Sequence, residues 1–375
     1  MKIVIAPDSF KESMTAKTAS QAIERGIRRV DPSCHIVKAP LADGGEGTVE
    51  ALVDSMNGEI ITHSVTGPLG DKVEASYGII HKKIAVIEIA TAVGLDLVSP
   101  KERNPMRTTT YGIGELISHA LERGVRHFLI GLGGSSTNDG GIGMAQALGA
   151  DITDIHGQPV PFGGEGLARV NEISISKMDK RLQNCTFEIA SDVNNPLTGS
   201  QGASFVYGPQ KGADPEMVLA LDQSMQTYED ILKRDLHVDV TDVEGAGAAG
   251  GLGAAFIAFF GAKLQRGIEL ITKITNLERH IKDADLVITG EGKMDDQTVY
   301  GKTPVGVAKI AKKHGVPVIA ITGANQVISP EIYENGIDAI FSITNEPMSL
   351  EEAMQKSEVL TEKLVENIIR LWKLM

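Results

Sequence analysis

The sequence predicts an α/β protein in which both chain ends build one flavodoxin-like, parallel-sheet domain and a second, mixed α/β domain is inserted between them. Three observations predict this. Short apolar runs at 3–7, 36–41 and 286–289 each lead into an acidic, Gly-flanked loop, the pattern of buried parallel strands. The strand–helix rhythm stops near residue 60 and returns near residue 280. Just after the first stop, three strand-like runs are joined by turn residues, as in an antiparallel meander.

The elements follow in order. Residues 2–7 read as a buried strand ending at Pro7. Ala19, Ala22, Ile23, Gly26, Ile27 and Val30 then recur at helical spacing, and Pro32 ends that helix. A second strand spans 35–40, followed by a helix carrying Val49, Leu52, Val53 and Met56 that stops at Asn57-Gly58. Right-handed crossover is expected here. Ile60–Val65, Val73–Ile80 and Ile84–Ile89 are the meander, turned at Gly67-Pro68 and His81-Lys82-Lys83. A helix at 111–123, a strand Phe128–Ile130, a strand at 187–190 and a helix at 214–233 come next, then a Gly/Ala-rich stretch from 245 to 261. Leu286–Thr289, Val318–Thr322 and Ala339–Ile343 restore the strand–helix alternation, and the helix near 304–314 ends at Gly315. The last helix opens with the capping box Ser349-Leu350-Glu351-Glu352, and its apolar stripe runs from Leu350 to Leu371 and Trp372. The expected domains are 1–60 plus 280–375, and 61–279, with the active site in the cleft between them.

Composition narrows the function. A chain of 375 residues exceeds one ordinary core, and 42% hydrophobic with 23% charged residues is typical of a globular protein. A net charge of −13 argues against nucleic acid or an anionic membrane as the main partner. Two cysteines without CxxC exclude a disulfide scaffold, and with nine histidines but no HExxH any metal is expected to be a hard ion on oxygen ligands. With neither a signal-like segment nor a membrane-length apolar run, cytoplasmic location is the expectation.

Several loops carry residues suited to phosphoryl transfer. The loop Gly131-Leu132-Gly133-Gly134-Ser135-Ser136-Thr137-Asn138-Asp139-Gly140-Gly141 joins a strand to a helix. Its glycines permit a backbone nest and its hydroxyls donate, so Gly133, Gly134, Ser135, Ser136 and Thr137 form a candidate phosphate cradle; a turn rich in capping residues is the alternative. Asp8, Ser9 and Lys11 follow strand one, and Gly290, Glu291, Gly292 and Asp295 follow the first strand of the C-terminal half. In a 2-1-3-4-5 sheet these two loops face one another at the switch point. There Lys11 can neutralise a transferring phosphoryl group, while Asp43, Glu291 and Asp295 are candidate Mg²⁺ ligands. Arg103 and Asn104 precede Pro105, and an arginine suits bidentate carboxylate binding, although a solvated surface arginine fits as well. Asp192, with Asn195 near it, follows a strand and can accept a hydroxyl proton; an Asx-turn before Pro196 is the alternative. Lys211, in Gly208-Pro209-Gln210-Lys211-Gly212, is either a phosphate contact or part of a plain turn.

Two nucleotide motifs fare less well. Gly301-Lys302-Thr303 resembles the end of a Walker A loop, but Asp296 stands where that loop needs glycine. Gly245-Ala246-Gly247-Ala248-Ala249-Gly250 matches GxGxxG without a clear strand before it, so close helix packing is the better use.

Taken together, the blocks Lys2–Ser13, Ala42–Thr48, Glu102–Pro105, Gly133–Gly141, Asp192–Leu197, Gly208–Gly212 and Ile288–Gly292 resemble, in order and over essentially the whole chain, the bacterial glycerate kinases of the first type. Lys293 stands where many members have arginine, which keeps the charge. The resemblance implies ATP- and Mg²⁺-dependent phosphorylation of D-glycerate, usually to 2-phosphoglycerate. It also implies a flavodoxin-like domain with an inserted α/β domain. On the chemistry of the residues themselves, Asp192 orients and deprotonates the acceptor hydroxyl, and Lys11 and the 133–139 loop cradle phosphates. Arg103 binds the carboxylate, beside Ser9, Asn104 and Asn195. Formation of 3-phosphoglycerate, a nicotinamide-dependent hydroxy-acid dehydrogenase and a non-catalytic sugar-acid binding protein are the rivals.

Overall fold

The computed structural model describes residues 1–300, 302–326 and 329–374, so Gly301 of the Gly301-Lys302-Thr303 triplet lies outside the described residues. Its strands in chain order are β1 (Lys2–Pro7), β2 (His35–Lys38), β3 (Glu59–Thr66), β4 (Lys72–Ile80), β5 (Ile84–Glu88), β6 (His127–Gly131), β7 (Asp151–Thr153), β8 (Glu172–Ser174), β9 (Thr186–Ala190), β10 (Lys263–Gln265), β11 (Leu286–Met294), β12 (Val318–Asn325) and β13 (Ala339–Ser342). The chain divides into two compact units.

The first unit comprises Met1–Asp43, Glu50–Asn57 and Arg266–Met375. Its five strands form a wholly parallel sheet ordered β13-β12-β11-β1-β2. Numbered within the unit, that is the flavodoxin-like order 2-1-3-4-5 expected from sequence. Alternation sends Ile3, Ile5, Ile288 and Ile321 to one face, where they pack with Ile23 and Ile27 of the helix Ala16–Val30 and with Val365 and Ile369 of the helix Ser357–Trp372. Those two helices touch closely at Gly26, where a Cβ would lie 2.6 Å from the Glu362 carbonyl oxygen. Arg25 and Arg29 both reach the Glu362 carboxylate across the same contact.

Three sequence expectations shift here. β2 stops at Lys38 rather than running on to 40. The last helix is two, Leu350–Gln355 and Ser357–Trp372. Ser349 caps the first as expected, accepting from the Glu352 N–H at 3.2 Å, but Leu350 is left 77% exposed because the buried stripe belongs to the second helix. Most of the loop expected at 290–295 is strand instead: β11 continues to Met294, pairing Glu291 with Thr322 and Met294 with Asn325. Gly290 and Gly292 therefore serve close approach. A Cβ on Gly290 would meet the Ile321 carbonyl oxygen at 2.1 Å, and one on Gly292 would meet the Phe10 Cα at 3.1 Å.

The second unit comprises Gly44–Val49 and Gly58–Gln265. Its six-stranded sheet runs β10-β9-β6-β5-β4-β3. The meander β3-β4-β5 is antiparallel as expected, and β5, β6, β9 and β10 are parallel, which makes the sheet mixed. β10 and the β7–β8 hairpin are three-residue strands that periodicity does not reveal. The GxGxxG stretch opens the helix Ala248–Phe260 through a left-handed kink at Ala249, Gly250 and Gly251. A Cβ on Gly250 would fall 2.1 Å from the Thr137 carbonyl oxygen, so these glycines pack the helix onto the 131–141 loop. Among the described residues no helix is long and apolar enough to cross a membrane.

Candidate functional site

The sequence-predicted residues fall into two groups, one in each unit. In the first unit, β1 and β11 are neighbours with Pro7 opposite Gly290, so the residues that leave their carboxyl ends sit at the topological switch point. The Asp8 N–H donates to the Gly290 carbonyl at 2.8 Å. Its side chain is 9% exposed and accepts from the Ser9 N–H at 2.6 Å and from the Thr303 hydroxyl at 2.5 Å. Burial, reinforced by the charge of Asp43, pushes the Asp8 carboxyl up to about 6. Burial also lifts Glu291 to about 7, against the pull of Lys302 and the hydroxyl of Thr298, which donates to Glu291 Oε1 at 2.9 Å. Asp295 is paired with Lys293 at 3.3 Å and lies 3.9 Å from the Lys302 ammonium. Lys11 is exposed on the tight Phe10–Met14 loop, its backbone nitrogen 3.2 Å from where a Gly292 Cβ would stand.

Burial is the main reason Asp8 and Glu291 hold their protons so long, and the neighbouring carboxylates add to it. Among the described residues no three His, Cys, Asp or Glu side chains form a complete metal cage. Mg²⁺ needs none: it commonly takes one or two carboxylates and completes its shell with phosphate oxygens and water. The mutually repelling carboxyls of Asp8, Asp43 and Glu291 fit such a cation.

In the second unit, β6 and β9 lie side by side with Gly131 opposite Ala190. Gly133 and Asp192, each two residues further on, leave the sheet from adjacent strands, and both are exposed. Gly134 is exposed too, in the left-handed region at φ +71°. The hydroxyls beyond them turn inward. Ser136 Oγ donates to the Val93 carbonyl at 2.9 Å, and Thr137 is fully buried, its Oγ1 without a hydrogen-bond partner among the described residues. Ser135 Oγ accepts from Lys211 Nζ at 2.9 Å. Lys211 is 3% exposed, and burial pushes its ammonium down to about 7 despite the favourable charge of Asp139.

Arg103 is half-buried, with Nε 3.4 Å from the Val98 carbonyl. Asn104 shapes its own turn, its Oδ1 accepting from the Met106 N–H at 3.0 Å. Asn195 is likewise engaged locally: Nδ2 donates to the Gln201 carbonyl at 2.8 Å and Oδ1 accepts from Tyr207 at 2.6 Å. Sequence reasoning missed the partners that hold these groups. Thr298 carries no motif of its own, and the Gly301-Lys302-Thr303 triplet gave no sign of the Thr303 bond to Asp8. Asp139 sat in the flagged loop, and its role as a buried anchor accepting from the Thr110 N–H and hydroxyl at 2.9 Å depends on a contact 29 residues back.

Comparison with known proteins follows from this geometry. Residues 3–373 match the glycerate kinase family. The glycerate kinase of Halalkalibacterium halodurans is 52% identical over 367 residues, covering 98% of this chain and 97% of that protein. The glycerate 2-kinase of Escherichia coli K12 is 52% identical over 356 residues, 95% of this chain and 93% of that one. A crystal structure assigned to glycerate kinase 2 of Salmonella typhimurium LT2 superimposes with a TM-score of 0.92 at 51% identity, covering 100% of this chain and 98% of that chain.

Proposed function

This chain belongs to the glycerate kinase family and is a phosphotransferase, and from that premise we propose that it transfers the terminal phosphoryl group of ATP directly to D-glycerate, forming 2-phospho-D-glycerate. The observation that carries the proposal is the acidic cluster at the switch point, where Asp8 and Glu291 flank the β1/β11 junction with Lys11 and Lys302 nearby. The 2-position follows the name of the Escherichia coli relative.

We assign the roles as follows. Asp43, Glu291 and Asp295, with Asp8 in the same acidic cluster, would hold Mg²⁺, which when bound neutralises phosphate charge. Lys11 balances the charge of the transferring group, and in the second unit the backbone at Gly133 and Gly134 takes phosphate oxygens through N–H donors, with Ser135, Ser136, Thr137 and Lys211 supporting that cradle. Asp192 accepts the proton of the acceptor hydroxyl; Arg103, with Asn104 and Asn195 shaping the second unit's loops, orients the glycerate carboxylate, and Ser9 is a further substrate contact from the first unit. Free thiols at Cys34 and Cys185 suit the cytoplasmic location assigned here.

Incubation with ATP, Mg²⁺ and D-glycerate, followed by NMR of the product, tests the proposal. A phosphate on C2 is expected; one on C3 would move the assignment to the other isomer. If neither phosphoglycerate forms, the proposed transfer from ATP to D-glycerate is wrong.

A further inference from the structure

The ammonium of Lys211 points into the protein. It donates to Ser135 Oγ at 2.9 Å and to the Thr137 carbonyl at 2.7 Å, and only 3% of the residue is exposed. Its neighbour Gly212 has φ +94°, and any Cβ there would sit 2.2 Å from the Arg103 carbonyl oxygen. Two consecutive residues thus press on two different functional segments, the 133–137 loop and the Arg103 turn. Further stitches join those segments: Thr108 Oγ1 donates to the Ser136 carbonyl at 2.9 Å, and Thr110 donates to the buried Asp139 carboxylate. A buried lysine is costly unless its ammonium is satisfied, and here it is satisfied by the loop itself, with Asp139 as the charge in its field.

We propose that Lys211 is a positioning residue: it locks the Gly133–Thr137 loop and, through Gly212, the Arg103 segment into one preformed body, and it does not touch phosphate. The inference rests on the reading of those segments as phosphate cradle and carboxylate anchor. A lysine that bound phosphate directly would present its ammonium to solvent and would matter to the nucleotide alone. A brace shared by both segments sets the placement of nucleotide and glycerate together, because a small displacement of either loop misaligns the reacting groups.

Acetylation of the native protein by an N-hydroxysuccinimide ester, read by peptide mass spectrometry with and without Mg–ADP, tests the burial. Lys211 is expected to stay unmodified in both states while the exposed Lys11 reacts in the absence of nucleotide. Lys211→Met is expected to raise the KM for ATP and the KM for D-glycerate together, each about tenfold or more, and Lys211→Arg is expected to restore neither, because the longer fork does not fit the pocket. The thermal midpoint of each variant is measured beside its kinetics, so that global loosening is seen separately. Acetylation of Lys211 that Mg–ADP blocks, or a rise confined to ATP and cured by arginine, would overturn the proposal. Should the wild type fail to phosphorylate glycerate, the functional reading falls, yet the labelling result still decides whether Lys211 is a brace.

Discussion

Thr303, the first residue of the helix Thr303–Lys313, donates its hydroxyl to the carboxylate of Asp8 at the end of β1, 295 residues earlier in the chain. Both are buried, Thr303 completely. The bond ties the start of that helix to the switch point and fixes which way the Asp8 carboxylate faces. Thr303→Val keeps the shape and removes the donor. An unsatisfied buried acceptor of this kind costs about 1–3 kcal/mol. Chemical unfolding of the variant is expected to show that loss, together with a raised KM for Mg²⁺. An unchanged unfolding midpoint would mean that the bond does not hold Asp8.

Protons and magnesium should compete at the acidic cluster. Asp8 titrates near 6 and Glu291 near 7, both raised by burial. The sign follows from linkage. Between the unfolded value, roughly 4, and these raised values the folded chain holds protons that the unfolded chain has released. The stability tied to those protons is present at low pH and is lost as pH rises through 6 to 7. A divalent cation offsets the loss only where the carboxyls are ionised. Saturating Mg²⁺ should therefore raise the thermal midpoint more at about pH 8 than at about pH 5.5. The KM for Mg²⁺ should climb as the pH falls below 7. Equal midpoint gains at both pH values would remove these carboxyls from the metal site.

Asp192 and Lys11 are exposed, so replacing them should leave the fold intact. Asp192→Asn keeps the shape and removes the proposed proton acceptor, and Lys11→Ala removes the positive charge proposed to balance the transferring group. Losing one preorganised electrostatic contact typically costs about 10²–10³-fold in turnover. Each variant is expected to lose about that much in kcat at an unchanged thermal midpoint. Near-normal turnover in both would reassign the proton acceptor and the phosphate cation.

The sheet order was legible because each buried strand announces itself. Ile3, Val4 and Ile5 are continuously apolar, and so are Val287 and Ile288, since a parallel strand covered on both faces has no polar side to show. Asp8 was legible as a candidate for the same reason: it is the first carboxylate past such a strand. What stayed hidden lies in contacts between distant residues. Nothing local to Thr303 predicts its bond to Asp8, and nothing local to Lys211 predicts burial. A Gly-flanked lysine reads as a surface turn until Ser135 and Thr137 are seen to close over its ammonium. Likewise Gly290 and Gly292 read as loop residues, because a glycine needed for close strand packing and one needed for a turn look identical in sequence.

Gly250 separates the two uses of its motif. As part of a dinucleotide fingerprint it would sit under a pyrophosphate. In the structure its φ is +69°, and a Cβ would strike the Thr137 carbonyl oxygen at 2.1 Å. That carbonyl also accepts from Lys211. Gly250→Ala therefore meets two penalties. The left-handed backbone costs an alanine roughly 1–2 kcal/mol, and the clash falls on backbone that cannot rotate aside. Loss of several kcal/mol is expected in unfolding experiments with no nucleotide present, about the size of a severe core defect. The displaced Thr137 carbonyl should also loosen Lys211, so any folded fraction should show the raised KM for both substrates expected of a broken brace. A variant of normal stability that has lost only nucleotide affinity would instead return this glycine to a phosphate-binding role.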